Sequence, residues 1–109
     1  MNKVVNCIKD VTKIKLRDYE VLTRVRKINS PIVLVNDKEG EEQFNQYLEV
    51  IKVGKTVSLV EVGDRIIMAE RNRMVPFEHN GQTYIIIDEN SARLVVSDDN
   101  FSASDELVN

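Results

Sequence analysis

The chain predicts an all-β fold, a small antiparallel β-barrel preceded by an arm and followed by a flexible tail. Three observations carry that prediction. Short runs rich in Val, Ile, Thr and Tyr recur from Tyr19 to Val96, turn signals separate them every several residues, and no long segment repeats apolar residues at helical spacing. With 109 residues, 42% apolar and 30% charged, the chain has material for one modest core and too little for two.

The elements follow in order. Residues 1–18 form the arm, in which Val4, Val5, Ile8, Val11, Ile14 and Leu16 are spaced to suit either an extended segment or a short helix. The barrel spans residues 19–96. Its first strand runs from Tyr19 to Ile28, with Val21, Thr23 and Val25 at spacing two, so that one face is buried. Residues 29–46 read as an insertion in two unlike halves, the aliphatic block Ile32-Val33-Leu34-Val35 and then a charged, amide-rich run. The block is either an ordinary buried strand or a detachable hydrophobic hook for another protein.

Tyr47–Val53 is the next strand, closed by Gly54, and Thr56–Val60 a further one. The turn Glu61-Val62-Gly63-Asp64 leads into Arg65–Ala69. Met74–Phe77 contains Pro76, which cannot donate to a ladder and therefore belongs on an edge or at a bend. Asn80-Gly81 is the strongest hairpin signal, since a tight reverse turn needs positive φ and both residues tolerate it. Thr83–Ile87 follows, then a turn or single helical turn at Asp88–Ser91, then the last strand, Ala92–Val96. Residues 97–109 are acidic and rich in small residues, which predicts a flexible tail.

The chemistry-bearing residues are few. His79 is the single histidine and stands beside the Asn80-Gly81 turn, where a solvated ring is expected. Cys7 has no Cys or His partner at ligand spacing, whereas a zinc site needs about four ligands. The glycines Gly40, Gly54, Gly63 and Gly81 are isolated, so no phosphate-cradling loop is present. Glu39, Glu41 and Glu42 lie in a polar stretch that reads as solvated surface. No metal, no cofactor and no enzymatic activity are expected.

Partners are bounded in the same way. A net charge of −3 argues against nucleic acid, whose phosphates require a basic excess. Arg24, Arg26, Lys27, Arg65, Arg71 and Arg73 are a candidate basic patch, but no aromatic residue is interleaved with them in sequence. The lone Cys7 suits a reducing compartment, and no segment is apolar enough for a signal peptide or a membrane span. A cytoplasmic protein, or a virion component assembled in a cytoplasm, is expected.

Four stretches together resemble the GroES-type co-chaperonin family. Glu49-Val50-Ile51-Lys52-Val53-Gly54 is similar to the family's strand after its mobile loop. Val62-Gly63-Asp64-Arg65-Ile66-Ile67-Met68 resembles its Val-Gly-Asp turn and the apolar strand that follows. Asn80 to Val96 is similar to its closing hairpin, and Ile32-Val33-Leu34 falls where the family places an aliphatic tripeptide. The likeness covers residues 19–96. The chain departs from the family in its longer arm and tail, in its acidic insertion, and in a roof hairpin reduced to Lys55–Glu61.

The resemblance implies a homo-oligomer, by likeness a sevenfold ring, that docks a chaperonin through Ile32, Val33, Leu34 and Val35. A second function class suits the same chain: an auxiliary or cement subunit of a phage capsid, with residues 1–17 lacing neighbouring subunits.

Overall fold

A computed structural model describes residues 7–36, 40–69 and 74–100, with side chains described for residues 7–28, 45–67, 69 and 74–100. The fold is all-β. Strands β1 (Glu20–Asn36), β2 (Gly40–Val53), β3 (Arg65–Ala69), β4 (Val75–His79), β5 (Gln82–Asp88) and β6 (Ala92–Val96) form one antiparallel sheet. Its order is β4-β5-β1-β2-β3-β6. The edge strands β4 and β6 are not hydrogen-bonded to each other, so the sheet does not close into the expected barrel.

The alternation read in the first strand is the alternation that is buried. Val21 and Thr23 are fully buried, and Val25 packs against the same cluster of Val21, Leu48, Val50, Val60, Ile66 and Ile87. A second cluster of Ile28, Tyr47 and Ile67 is joined by Leu94 and Val96. At ~25 cal/mol per Å² of apolar area these clusters supply the main drive to fold.

Asn80 (φ 51°) and Gly81 (φ 78°) both occupy the left-handed region, which matches the right-handed twist of β4 and β5 across a two-residue turn. Pro76 lies on the edge strand β4, as its missing N–H requires. Glu89–Ser91 is a single 3-10 turn.

Thr56–Val60 is a correction: it is not a strand. The amide of Thr56 donates to the Asp18 carbonyl (2.9 Å), and those of Ser58 and Leu59 donate to one carboxylate oxygen of Glu89 (3.0 and 3.2 Å). Amides satisfied this way need no ladder, and only Val60 of the run is buried, at 3% exposure. The turn after it is tightly closed. Gly63 (φ 97°) donates its N–H to the Val50 carbonyl, Asp64 donates its N–H to Glu61, and Glu61 donates back to the Asp64 carboxylate.

The arm is an extended segment with one 3-10 turn, Val11–Lys13, capped by Asp10. It lies on its own sheet. Lys52 Nζ donates to the Ile14 carbonyl at 2.7 Å, while the Asp18 carbonyl accepts both from the Thr56 amide and from its hydroxyl. Of the tail, Asp98–Asn100 forms a further 3-10 turn, with Asp98 ion-paired to the buried Arg65.

Candidate functional site

The aliphatic block predicted to bind a partner occupies the outer half of β1. Its backbone pairs with the start of β2 in the register Ile32↔Phe44, Val33↔Gln43, Leu34↔Glu42 and Val35↔Glu41. The side chains of these residues lie outside those described. The ladder between β1 and β5 ends at Arg24↔Tyr84, and that between β2 and β3 involves Leu48 and Glu49. Among the described residues, then, the outer halves of β1 and β2 pair with each other alone, as a two-stranded ribbon continuing past the six-stranded sheet.

A large bulge marks where the ribbon begins. The register steps from Lys27↔Gln46 to Ile32↔Phe44, so the four residues Ile28 to Pro31 face the single residue Asn45. Proline fits here because an unpaired bulge position asks for no N–H. Pro31 was the one sequence signal for this junction, and the sequence reading took it as the boundary of a loop.

A row of polar and aromatic residues crosses the whole sheet. Register links Phe77↔Tyr84, Tyr84↔Arg24, Arg24↔Glu49, Glu49↔Arg65 and Arg65↔Val96, one residue from each strand. Arg24 donates to Glu49 at 2.7 Å, and Arg26 stands 3.6 Å from the same carboxylate. Burial opposes the charge on Arg24, but the hydrogen bond and charge of Glu49, with help from Tyr84, outweigh it and raise its pKa. The Arg65 guanidinium lies 5.6 Å from the centre of the Tyr47 ring.

This row corrects the reading that no aromatic residue accompanies the arginines. Tyr84 stands opposite Arg24 and Tyr47 opposite Arg26, a proximity made by strand pairing and invisible along the chain. Both rings are buried, at 6% and 2% exposure, so they are packing partners and not open stacking surfaces. Of the remaining basic residues, Lys27 is exposed, and Arg71 and Arg73 lie outside the described residues.

His79 is a second correction, because it is buried at 8% exposure instead of solvated. Its ring is tilted against Tyr84 at 6.4 Å between centroids, and Asn80 Nδ2 lies 3.2 Å from its Nε2. The expectation failed because a tight turn exposes its two central residues, whereas the flanking position belongs to the sheet. Asp10 is close enough to feel His79. Its carboxyl is held below the usual range first by the Thr12 hydroxyl and amide, against some desolvation, and then by Lys13 and His79.

The opposite end of the sheet from the ribbon is apolar at its surface. Tyr19, Leu59, Val62 and Val75 are the large exposed hydrophobic residues, and Glu89 links two of them. Its amide donates to the Tyr19 carbonyl, and its carboxylate holds the Leu59 amide. Cys7 is exposed. Among the described residues no three His, Cys, Asp or Glu side chains converge on a point, and no helix is long and apolar enough to cross a membrane. Compared with protein-family models, curated proteins and solved structures, the chain matches none.

Proposed function

We propose that this chain is a non-enzymatic subunit for protein assembly that oligomerises and docks a chaperonin through Ile32, Val33, Leu34 and Val35, in the manner of a co-chaperonin. The observation that carries the reading is the ribbon: a run of four aliphatic residues sits on a two-stranded extension that the sheet itself does not use. The pinned arm adds support. Ile14 and Asp18 bond to the chain's own Lys52 and Thr56, which leaves residues 7–18 ill placed to lace neighbouring shell subunits.

The energetics require more than one copy. Burying three aliphatic side chains contributes at most about 1.5–3 kcal/mol each. The rigid-body and ordering costs of association remove much of that. One ribbon binds weakly, and several on a ring bind tightly through effective concentration.

The test is capture of a purified bacterial chaperonin by the wild-type chain and by Ile32→Ser and Leu34→Ser, with native mass spectrometry of the isolated protein. The expected result is a closed oligomer whose chaperonin binding falls at least tenfold in either variant. A monomer, or variants that bind as well as wild type, would remove the reading.

A further inference from the structure

We infer that the segment bearing Ile32–Val35 is a ribbon paired before any partner arrives, and that it docks in that form instead of ordering on contact. The docking half of this inference rests on the function proposed above; the pairing half does not. Strand lengths are the first argument. β1 and β2 have 17 and 14 residues, while β3 to β6 have 5 to 7. The surplus is the ribbon, five consecutive pairs from Ile32↔Phe44 to Asn36↔Gly40 with no shift in register.

Isolated two-stranded ribbons are marginal in water because closing them is costly. Here that closure is already made. The ladder from Val21↔Val53 to Lys27↔Gln46 holds the two strands side by side, so the ribbon extends outward from a fixed base. Ile28, buried at 5% in the cluster with Tyr47 and Ile67, is the last anchored residue before the bulge. Beyond it, Ile32, Val33 and Val35 are strong strand formers, with Phe44 registered across from Ile32. The acidic residues Glu41 and Glu42 are poor strand formers, and they are strand because their partners are Val35 and Leu34. A loop that stays open until binding has neither a fixed base nor such a pairing sequence.

The inference is tested in the full chain with Cys7→Ser, using two separate double variants, Val33→Cys with Gln43→Cys and Leu34→Cys with Glu42→Cys. Successive antiparallel pairs alternate between hydrogen-bonded and non-hydrogen-bonded types. The latter bring Cα atoms to about 4.5 Å, within the span of a disulfide. One of the two variants is therefore expected to cross-link on mild oxidation of the isolated protein, read as intramolecular loss of free thiols. Its affinity for purified bacterial chaperonin, oxidised against reduced, is expected to agree within about threefold.

Failure of both pairs to cross-link overturns the pre-paired ribbon. Loss of binding on oxidation overturns docking as a ribbon, because an open loop is then the bound form. A gain of about tenfold or more also overturns it, since the bridge would be supplying order that the free chain lacks. A cross-link that forms in a chain binding chaperonin in neither state leaves the pairing standing. It overturns the docking half together with the proposed function.

Discussion

Replacing Gly54 with alanine is the sharpest probe of how the arm is fixed to the sheet. Gly54 is needed for space, not for backbone freedom: its φ is not in the left-handed region, yet an added Cβ would collide with the backbone carbonyls of Arg17 and Asp18. Backbone atoms cannot rotate aside as a flexible side chain would. The local hydrogen bonds also hold the two segments together. Gly54 donates to the Glu20 carbonyl at 2.8 Å, and Thr56 reaches the Asp18 carbonyl through its amide at 2.9 Å and its hydroxyl at 3.0 Å.

Relieving the collision means parting Arg17–Asp18 from Gly54–Thr56 and stretching those three bonds. At about 1 kcal/mol net for each, the loss is ~2–4 kcal/mol, a large share of the ~5–15 kcal/mol expected of a single domain. Urea unfolding followed by circular dichroism reads it directly. With a slope of about 1–3 kcal/mol per M, the midpoint should fall by about 1 M or more. Gly81→Ala is the control. Nothing lies within 4 Å of its new Cβ, but its φ of 78° strains any other residue, so a cost of about 1–2 kcal/mol is expected from conformation alone. Should Gly54→Ala prove milder than Gly81→Ala, the arm is not seated against Gly54 and the steric argument is wrong.

Two further outcomes are expected. Val50→Asp or Ile67→Asp, at positions 1% and 6% exposed, places an unpaired carboxylate in one of the two clusters and should cost several kcal/mol, enough to abolish the cooperative unfolding transition; a folded variant of either kind would mean that its cluster is not core. The Asp10 cap has a definite sign with pH: because its folded pKa lies below the model value of 3.8, its contribution is present above that value and is lost as pH falls through the lower, folded pKa. The Thr12 amide resonance should therefore move in acid with a midpoint below 3.8, and a midpoint at or above it would show that the cap does not form.

Legibility in the sequence followed the range of the forces involved. Where a residue's neighbours in sequence decide its state, the reading was close: the Asn80-Gly81 turn needs only two left-handed residues, and Ala92–Val96 is an unbroken strand-forming run. Gly40 to Gln46 became strand against its own composition, because propensity on one strand is outweighed by what the facing strand offers. Thr56–Val60 went the other way. Its β-formers lost their ladder to a carboxylate thirty residues away, Glu89, which nothing nearby in sequence announces. The arginine row was hidden for the same reason, since Tyr84, Arg24, Glu49 and Arg65 meet only once four strands are in register.

The same distinction bears on why the ribbon and the polar row coexist in one sheet. At Arg24 and Glu49 the paired strands have further neighbours, β5 and β3, and their polar side chains are satisfied across three or four strands. Past Lys27 and Gln46 the only partner is the other strand of the pair, so each residue there has one neighbour instead of two. A stretch built for the chain's own stability would place its strongest strand formers where both sides are paired. This chain places a continuous aliphatic run where one side is open, and separates it from the core by a bulge containing proline. That arrangement gives up self-burial for availability, which is the physical content of reading Ile32–Val35 as a surface for another protein.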